Sequence, residues 1–287
     1  GFIGPQDFYA GIGYRLPSLI TDESYAKLAE AGINNICDQR IRYDDSETTD
    51  RALTLAAKYG ITYLLPDPII NFEMSNANDN VDNVVIPTAE DLAARMEQLM
   101  QYDSFAGFHL RDEPTSNCFP KLSEAVQVIE EARVLAGDET IQPYINCFPG
   151  VGWNQLSNGT DPEMNWDKYI RGVADMGIDF LSWDGYPFTN VPGEIQSTWL
   201  NGLGQVKRIA NEYEIPCMIW LQCGGSLPFF STSHRVVNEA EMNWNVGSAL
   251  CFGYSAMGYY TLVTPPEGAN QSEEYVNNDS LLNKYGS

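Results

Sequence analysis

Gly107-Phe-His-Leu-Arg-Asp-Glu-Pro-Thr115, GFHLRDEPT, runs from an apolar stretch straight into three charges, and Pro114 then stops it. Charges at the end of a buried strand are costly unless they are paired or employed. Pro114 has no amide proton, so it suits the point where a strand leaves its sheet. Alternation along a strand puts Phe108 and Leu110 on one side and His109 and Arg111 on the other. Glu113 is then left just beyond the strand, and what it does depends on where that strand sits.

The surrounding chain repeats one unit. A short apolar, β-branched or aromatic run is followed by a polar loop and an amphipathic segment that stops near a glycine. Strands are expected at Phe8–Tyr14, Ile33–Asp38, Ile61–Pro66, the GFHLRDEPT stretch, Ile141–Asn146, Phe180–Asp184, Ile215–Gln222 and Ala256–Thr261. Helices are expected at Thr21–Gly32, Ser46–Gly60, Thr88–Tyr102, Phe119–Gly137, Trp166–Gly177, Ile195–Tyr213 and Asn238–Gly253. Eight strand–helix alternations specify a parallel sheet covered by helices, and eight is the number that closes as a barrel. An open doubly wound sheet would carry a glycine-rich phosphate turn after its first strand, and Gly11-Ile-Gly13 lacks the third glycine. The expected fold is therefore α/β, a single (β/α)8 TIM barrel over residues 1–287. After the eighth strand Asp279–Leu282 offers at most a turn, so the eighth outer helix is expected to be missing or replaced.

Composition narrows the partners. Hydrophobic content of 44% with 19% charged residues describes a chain with a large core. The net charge of −23 argues against nucleic acid and anionic membranes, which need Lys and Arg clusters. No apolar run approaches the roughly 18 residues of a membrane span. No basic-then-apolar segment opens the sequence, so no signal peptide is expected. The six cysteines have no CxxC or Cys/His metal spacing, and with only two histidines neither a metal nor another cofactor is expected. Buried free thiols are the plain reading of the cysteines, with a Cys118–Cys147 disulfide as the alternative.

In a closed barrel the carboxyl ends of the strands meet on one face, where active sites sit. Reading those ends in turn gives Tyr14; Asp38 and Arg40; Asp67; Arg111, Asp112 and Glu113; Tyr144 and Asn146; Trp183, Asp184 and Tyr186; Trp220 and Gln222; Tyr260. Carboxylates, amides and aromatic rings in this density suit sugars, whose hydroxyls need polar partners and whose rings need flat apolar ones. No strand ends in Lys, which disfavours Schiff-base chemistry.

LRDEPT, FLSWDGYPF and MIWLQ together resemble the (β/α)8-barrel glycoside hydrolases, whose acid/base Glu follows the fourth strand in Asn-Glu-Pro or Asp-Glu-Pro. The resemblance spans most of the chain, and its specific parts are Asp112-Glu113-Pro114 and Asp184-Gly-Tyr-Pro187. It implies that Glu113 is the proton donor and that neighbouring polar residues hold the sugar. Retaining members carry a nucleophilic Glu at the end of the seventh strand, where this chain has Trp220-Leu-Gln222. Gln cannot attack an anomeric carbon, so Asp184, flanked by Trp183 and Tyr186, is the preferred second carboxylate ahead of Asp38 and Asp67. Glu239 and Glu241 read as helix-capping charge.

The expectation is a glycosidase cleaving a neutral oligo- or polysaccharide, in an extracellular or cell-envelope protein of bacterial type. Gln222 keeps open a non-catalytic carbohydrate-binding barrel, and a lyase or isomerase on the same fold is the further alternative. Plainer roles stand beside the catalytic ones. Glu113 could pair with Arg111 or Arg40, Trp183 and Trp220 could be core aromatics, and His109 is expected in the core.

Overall fold

Helices cross from each strand to the next, and that alternation leaves the strands no choice but to run parallel. The computed structural model describes residues 20–37, 46–70, 72, 81, 84–189, 194–223, 234–235 and 237–260. Its strands are β1 (Asn35–Cys37), β2 (Thr62–Leu65), β3 (Phe105–Asp112), β4 (Gln142–Cys147), β5 (Leu181–Gly185), β6 (Cys217–Gln222) and β7 (Ala256–Tyr260). They form one seven-stranded parallel sheet in chain order. These are the second to eighth of the expected strands. The first, Phe8–Tyr14, and the eighth outer position after Thr261 lie outside the described residues.

The helices are α1 (Asp22–Glu30), α2 (Ser46–Lys58), α3 (Ala89–Leu99), α4 (Phe119–Ala136), the short α5 (Trp153–Leu156), α6 (Trp166–Ala174), α7 (Thr198–Glu212) and α8 (Glu239–Cys251). Their starts follow the capping chemistry of the sequence. The side chains of Thr21, Thr88, Asn165 and Asn238 each accept the backbone N–H three residues on. Glu241 completes a capping box with Asn238, the role its position suggested. The helix expected from Ile195 begins later, at Thr198, because Ile195 pairs with Phe188 in an antiparallel bridge.

Two faces of the sheet bury different things. Tyr63, Leu65, Phe108, Leu110, Ile145, Leu181, Trp183, Ile219 and Leu221 face the helices in one large core. The alternate positions Cys37, Leu64, Tyr144 and Trp220, from β1, β2, β4 and β6, form a second cluster. On a flat sheet β1 and β6 would lie about 24 Å apart at the usual spacing of about 4.8 Å. The sheet is therefore curled, with this cluster on its concave face. All six cysteines are free thiols, so the Cys118–Cys147 disulfide is not formed.

Curling requires room inside. The Trp220 ring lies beside Gly258, its register partner on β7, where an added Cβ would stand 2.4 Å from the indole. Gly258→Ala should therefore destabilise the fold by about 1–3 kcal/mol, the usual cost of overpacking. Urea unfolding checks this, and an unchanged midpoint would contradict the interior placement of Trp220.

Candidate active site

The end of β3 is irregular, and the irregularity places the carboxyl groups. His109 pairs with Tyr144 but Arg111 pairs with Ile145, so Leu110 is an extra residue in the ladder. This bulge resets the alternation. His109 faces inward, T-shaped against Tyr144 at 5.2 Å and with Nδ1 3.6 Å from Cys37 Sγ. Past the bulge Asp112, opposite Asn146, takes the inward phase. Simple alternation gave that phase to Arg111; instead Arg111 donates to the Phe72 carbonyl at 3.0 Å.

Glu113 follows with φ 43°, a left-handed conformation that costs a non-glycine residue of order 1–3 kcal/mol. Preceding a proline makes that conformation less favourable still. The turn is held from both sides. Glu113 N–H donates to the Asn146 carbonyl at 2.8 Å, and Tyr169 Oη donates to the Pro114 carbonyl at 2.8 Å. The constraint turns Glu113 away from the ladder and toward β5.

There it meets Asp184. The two carboxyl groups share a hydrogen bond, and Tyr186 makes another to Asp184. Asn146 Nδ2 donates to Asp112 Oδ1 at 2.9 Å and to Asp184 Oδ1 at 2.7 Å, so a single amide joins three strands. Asp184 is only 8% exposed. Burial, and then the Asp112 charge, push its carboxyl up to about 8, against the opposing hydrogen bonds from Asn146, Tyr186 and Glu113. Near neutral pH Asp184 thus holds a proton beside two other carboxyl groups. The buried Cys147 thiol, close behind, is pushed far up by burial and by Asp184, Asp112 and Glu113.

Asp112, Glu113, Asn146, Asp184 and Tyr186 are therefore brought together. Tyr144 and Trp220 lie beneath them, fully enclosed and bonded to each other. Trp183 is elsewhere. As the period of two requires, it points outward, packs against Trp166 and Trp199 and donates to Tyr254 Oη at 2.9 Å. Asp67 is bound by both Nε and Nη2 of Arg95 and accepts the Ile69 amide. The Gln222 amide is engaged with the main chain, accepting from Phe188 N–H and donating to the carbonyls of Phe188 and Arg235. Tyr14, Asp38 and Arg40 lie outside the described residues, as does the Tyr260 side chain.

Two residues that the strand-end reading passed over belong here. Ser182 shares the inward face of β5 with Asp184, which the alternation of Leu181-Ser-Trp-Asp184 could have revealed. His234, in the segment after β6, sits T-shaped on Tyr186 at 5.9 Å. No local pattern marks it.

No protein-family model matches the sequence, and no curated protein matches it. Solved structures do share its fold. A Bacteroides thetaiotaomicron protein with a provisional α-L-fucosidase assignment superposes with TM-score 0.58 at 12% identity, over 96% of this chain and 91% of its own. The Thermotoga petrophila endo-1,4-β-D-mannanase gives TM-score 0.55 at 13% identity, over 97% and 94%. The Faecalibacterium prausnitzii β-glucuronidase gives 0.56 at 13% identity, and there the chain spans 43% of the neighbour's length. The neighbours are glycoside hydrolases of TIM-barrel-like architecture, and identities this low establish the shared fold alone.

The Asp184 proton has a measurable consequence. Its folded value lies above that of an unfolded aspartate, about 3.9, so the folded state binds the extra proton between those limits. Stability from this group is full below about pH 4 and is lost as pH rises through about 8. Asp184→Asn removes the titration. The variant's melting temperature relative to wild type should climb from pH 6 to pH 9; a constant difference would show that Asp184 does not titrate in this range.

Proposed function

We propose that the chain is a glycoside hydrolase acting on a neutral oligo- or polysaccharide, with Glu113 and Asp184 as its catalytic carboxyl groups. One observation carries the reading: a buried carboxyl, Asp184, in hydrogen-bonding contact with a second, Glu113, at the carboxyl ends of β5 and β3. Active sites of parallel α/β folds collect at those ends. The finer architecture belongs to the same proposal. It is a single closed (β/α)8 barrel domain, and the sugar-contact roles read from the sequence for Tyr14, Asp38, Arg40 and Tyr260 are part of it.

Glu113 is partly exposed while Asp184 is nearly enclosed. Glu113 therefore faces the substrate, and Asp184 stands behind it as its hydrogen-bond partner. Carboxyl groups in hydrogen-bonding contact are closer than the about 5–5.5 Å of a retaining pair or the about 6.5–9.5 Å of an inverting one. The glycosidic oxygen must then displace Asp184 as the partner of Glu113. In this scheme Glu113 protonates that oxygen as the anomeric C–O bond breaks. Water adds to the anomeric carbon, and the proton it loses returns to the pair. The net charge of −23 favours an uncharged sugar, and an extracellular or cell-envelope setting suits such a substrate.

Glu113→Gln keeps the shape and removes the acid. Hydrolysis of natural glycans should fall about 10²–10⁴-fold, the usual worth of general acid catalysis, with a smaller loss on aryl glycosides whose leaving groups need little protonation. Asp184→Asn should slow both substrate types. Full activity of Glu113→Gln on natural glycans would end the case for Glu113.

A second reading, a non-catalytic carbohydrate-binding barrel, is favoured by the structural engagement of Gln222. Tight glycan binding with no turnover across a panel of aryl glycosides and polysaccharides would select it.

A further inference from the structure

Helix α6 reaches the carboxyl ends of two strands at once. Trp166 and Tyr169 are three residues apart, so they lie on one face of the helix. Trp166 Nε1 donates to the Phe148 carbonyl at 2.9 Å, and Phe148 N–H donates to Tyr169 Oη at 3.3 Å. Phe148 is the first residue after β4, and side chains of α6 thus hold both of its main-chain groups. Tyr169 gives its own proton to the Pro114 carbonyl, in the turn after β3, at 2.8 Å. A carbonyl only accepts and a backbone N–H only donates, so the direction of every bond in this set is fixed. The Tyr169 ring is 0% exposed and packs on Phe119 at 5.3 Å and on Phe148 at 6.1 Å.

We infer that Tyr169 is a positioning residue of this site: its hydroxyl, set by the Phe148 amide, holds the Pro114 carbonyl and with it the left-handed turn that places Glu113 against Asp184. Glu113 needs such a hold, because φ 43° is an unfavourable conformation for a glutamate and the following proline favours an extended one. Its N–H is tied to the Asn146 carbonyl at 2.8 Å, which fixes the near side of the turn. Pro114 has no N–H to offer, so its carbonyl is the main-chain handle on the far side. Trp166 acts one step further back, by holding Phe148 in place. The positioning role goes beyond the acid role read for Glu113, and only its kinetic test rests on that reading.

Tyr169→Phe fills the same space and removes one hydroxyl. The Pro114 carbonyl and the Phe148 N–H both lose their partner, and the turn is then held from the Asn146 side alone. Glu113 should leave the left-handed conformation part of the time, carrying its carboxyl away from Asp184.

Amide hydrogen exchange of the whole chain, resolved by NMR, reads the turn directly. In the wild-type chain the Glu113 amide should be about as protected as the β3 amides before it, although it lies past the strand. Free exchange at Glu113 would overturn the inference whether or not any variant folds. Tyr169→Phe should speed Glu113 exchange roughly tenfold relative to the β6 amides, the worth of one hydrogen bond. Val173→Ala, a core truncation on the same helix, is the control for lost stability and should leave that ratio unchanged. An unmoved ratio in Tyr169→Phe, or an equal movement in both variants, overturns the role of Tyr169. Glycine adopts the left-handed conformation freely, so in a Glu113→Gly background the same hydroxyl should matter less. An undiminished effect there would show that Tyr169 does not act against this strain, and would also overturn the inference. On natural glycans Tyr169→Phe should lower kcat about tenfold with KM little changed, and activated aryl glycosides should lose less, as expected when a proton donor is misplaced. Equal losses on both substrate types would count as a merely structural role and overturn the inference. If the wild-type chain turns over no glycoside, the hydrolase reading fails and the exchange ratios still decide Tyr169.

Discussion

Trp220 donates its indole proton to Tyr144 across the concave side of the sheet, from β6 to β4. Two long aromatic side chains can span the about 9.6 Å between alternate strands; what needs the curl is the cluster they share with Cys37, five strands away on β1. The bond also decides what the interior can contain. A bulky ring fits there because β7 presents Gly258 alongside it. Tyr144 Oη in turn meets Ser182 Oγ, and Ser182 donates to Asn146. The apolar floor of the concave face thus ends in a polar layer whose members satisfy one another, as buried polar groups must.

That layer stands between the core and the carboxyl groups, and it explains why three of them can gather. Elsewhere carboxylates are matched by cations, Asp67 by Arg95 and Asp179 by Arg133, and Asp112, Glu113 and Asp184 cohere by other means. Their cohesion comes from the Asn146 amide, the Tyr186 contact and a shared proton. Sharing a proton is the cheaper arrangement for close like charges. In a chain of net charge −23 the background field works in the same direction. The backbone cost at Glu113 belongs to this arrangement. Its left-handed turn keeps the carboxyl against Asp184, and Tyr169 and the Asn146 carbonyl hold the turn in place.

Much of this could be read from the sequence, and the exceptions have physical causes. Strands and helices were legible because their periods and capping residues agree locally: Thr21, Thr88, Asn165 and Asn238 all cap as written. Reading strand ends also gathered Asp112, Glu113, Asn146 and Asp184, since parallel strands in chain order bring their carboxyl ends to one edge. Leu110 was not legible. A bulge is fixed by the pairing of two strands, and either strand alone reads as regular. Trp183 was legible and was read wrongly, because next to Asp184 in sequence means opposite to it on a strand. Asp67 is polar and terminal like the others, yet Arg95, 28 residues further on, turns it into scaffold.

Gln222 shows how scaffold and chemistry exchange places. Its side chain offers an acceptor and two donors, and it uses them as a strand backbone would, meeting both the N–H and the C=O of Phe188 and reaching the Arg235 carbonyl. A glutamate there could still accept from Phe188 N–H, but it would turn negative oxygen toward two carbonyls. The amide is therefore the chemical form that lets the segment after β5 lie against the end of β6. That segment carries Tyr186, which bonds Asp184 and packs on His234. Gln222 is thus a clamp on the loop beside Asp184. Under the proposed hydrolase reading, bond-breaking falls to the carboxyl groups of β3 and β5, and their contact with each other, rather than a spacing across β6, is the geometry it uses.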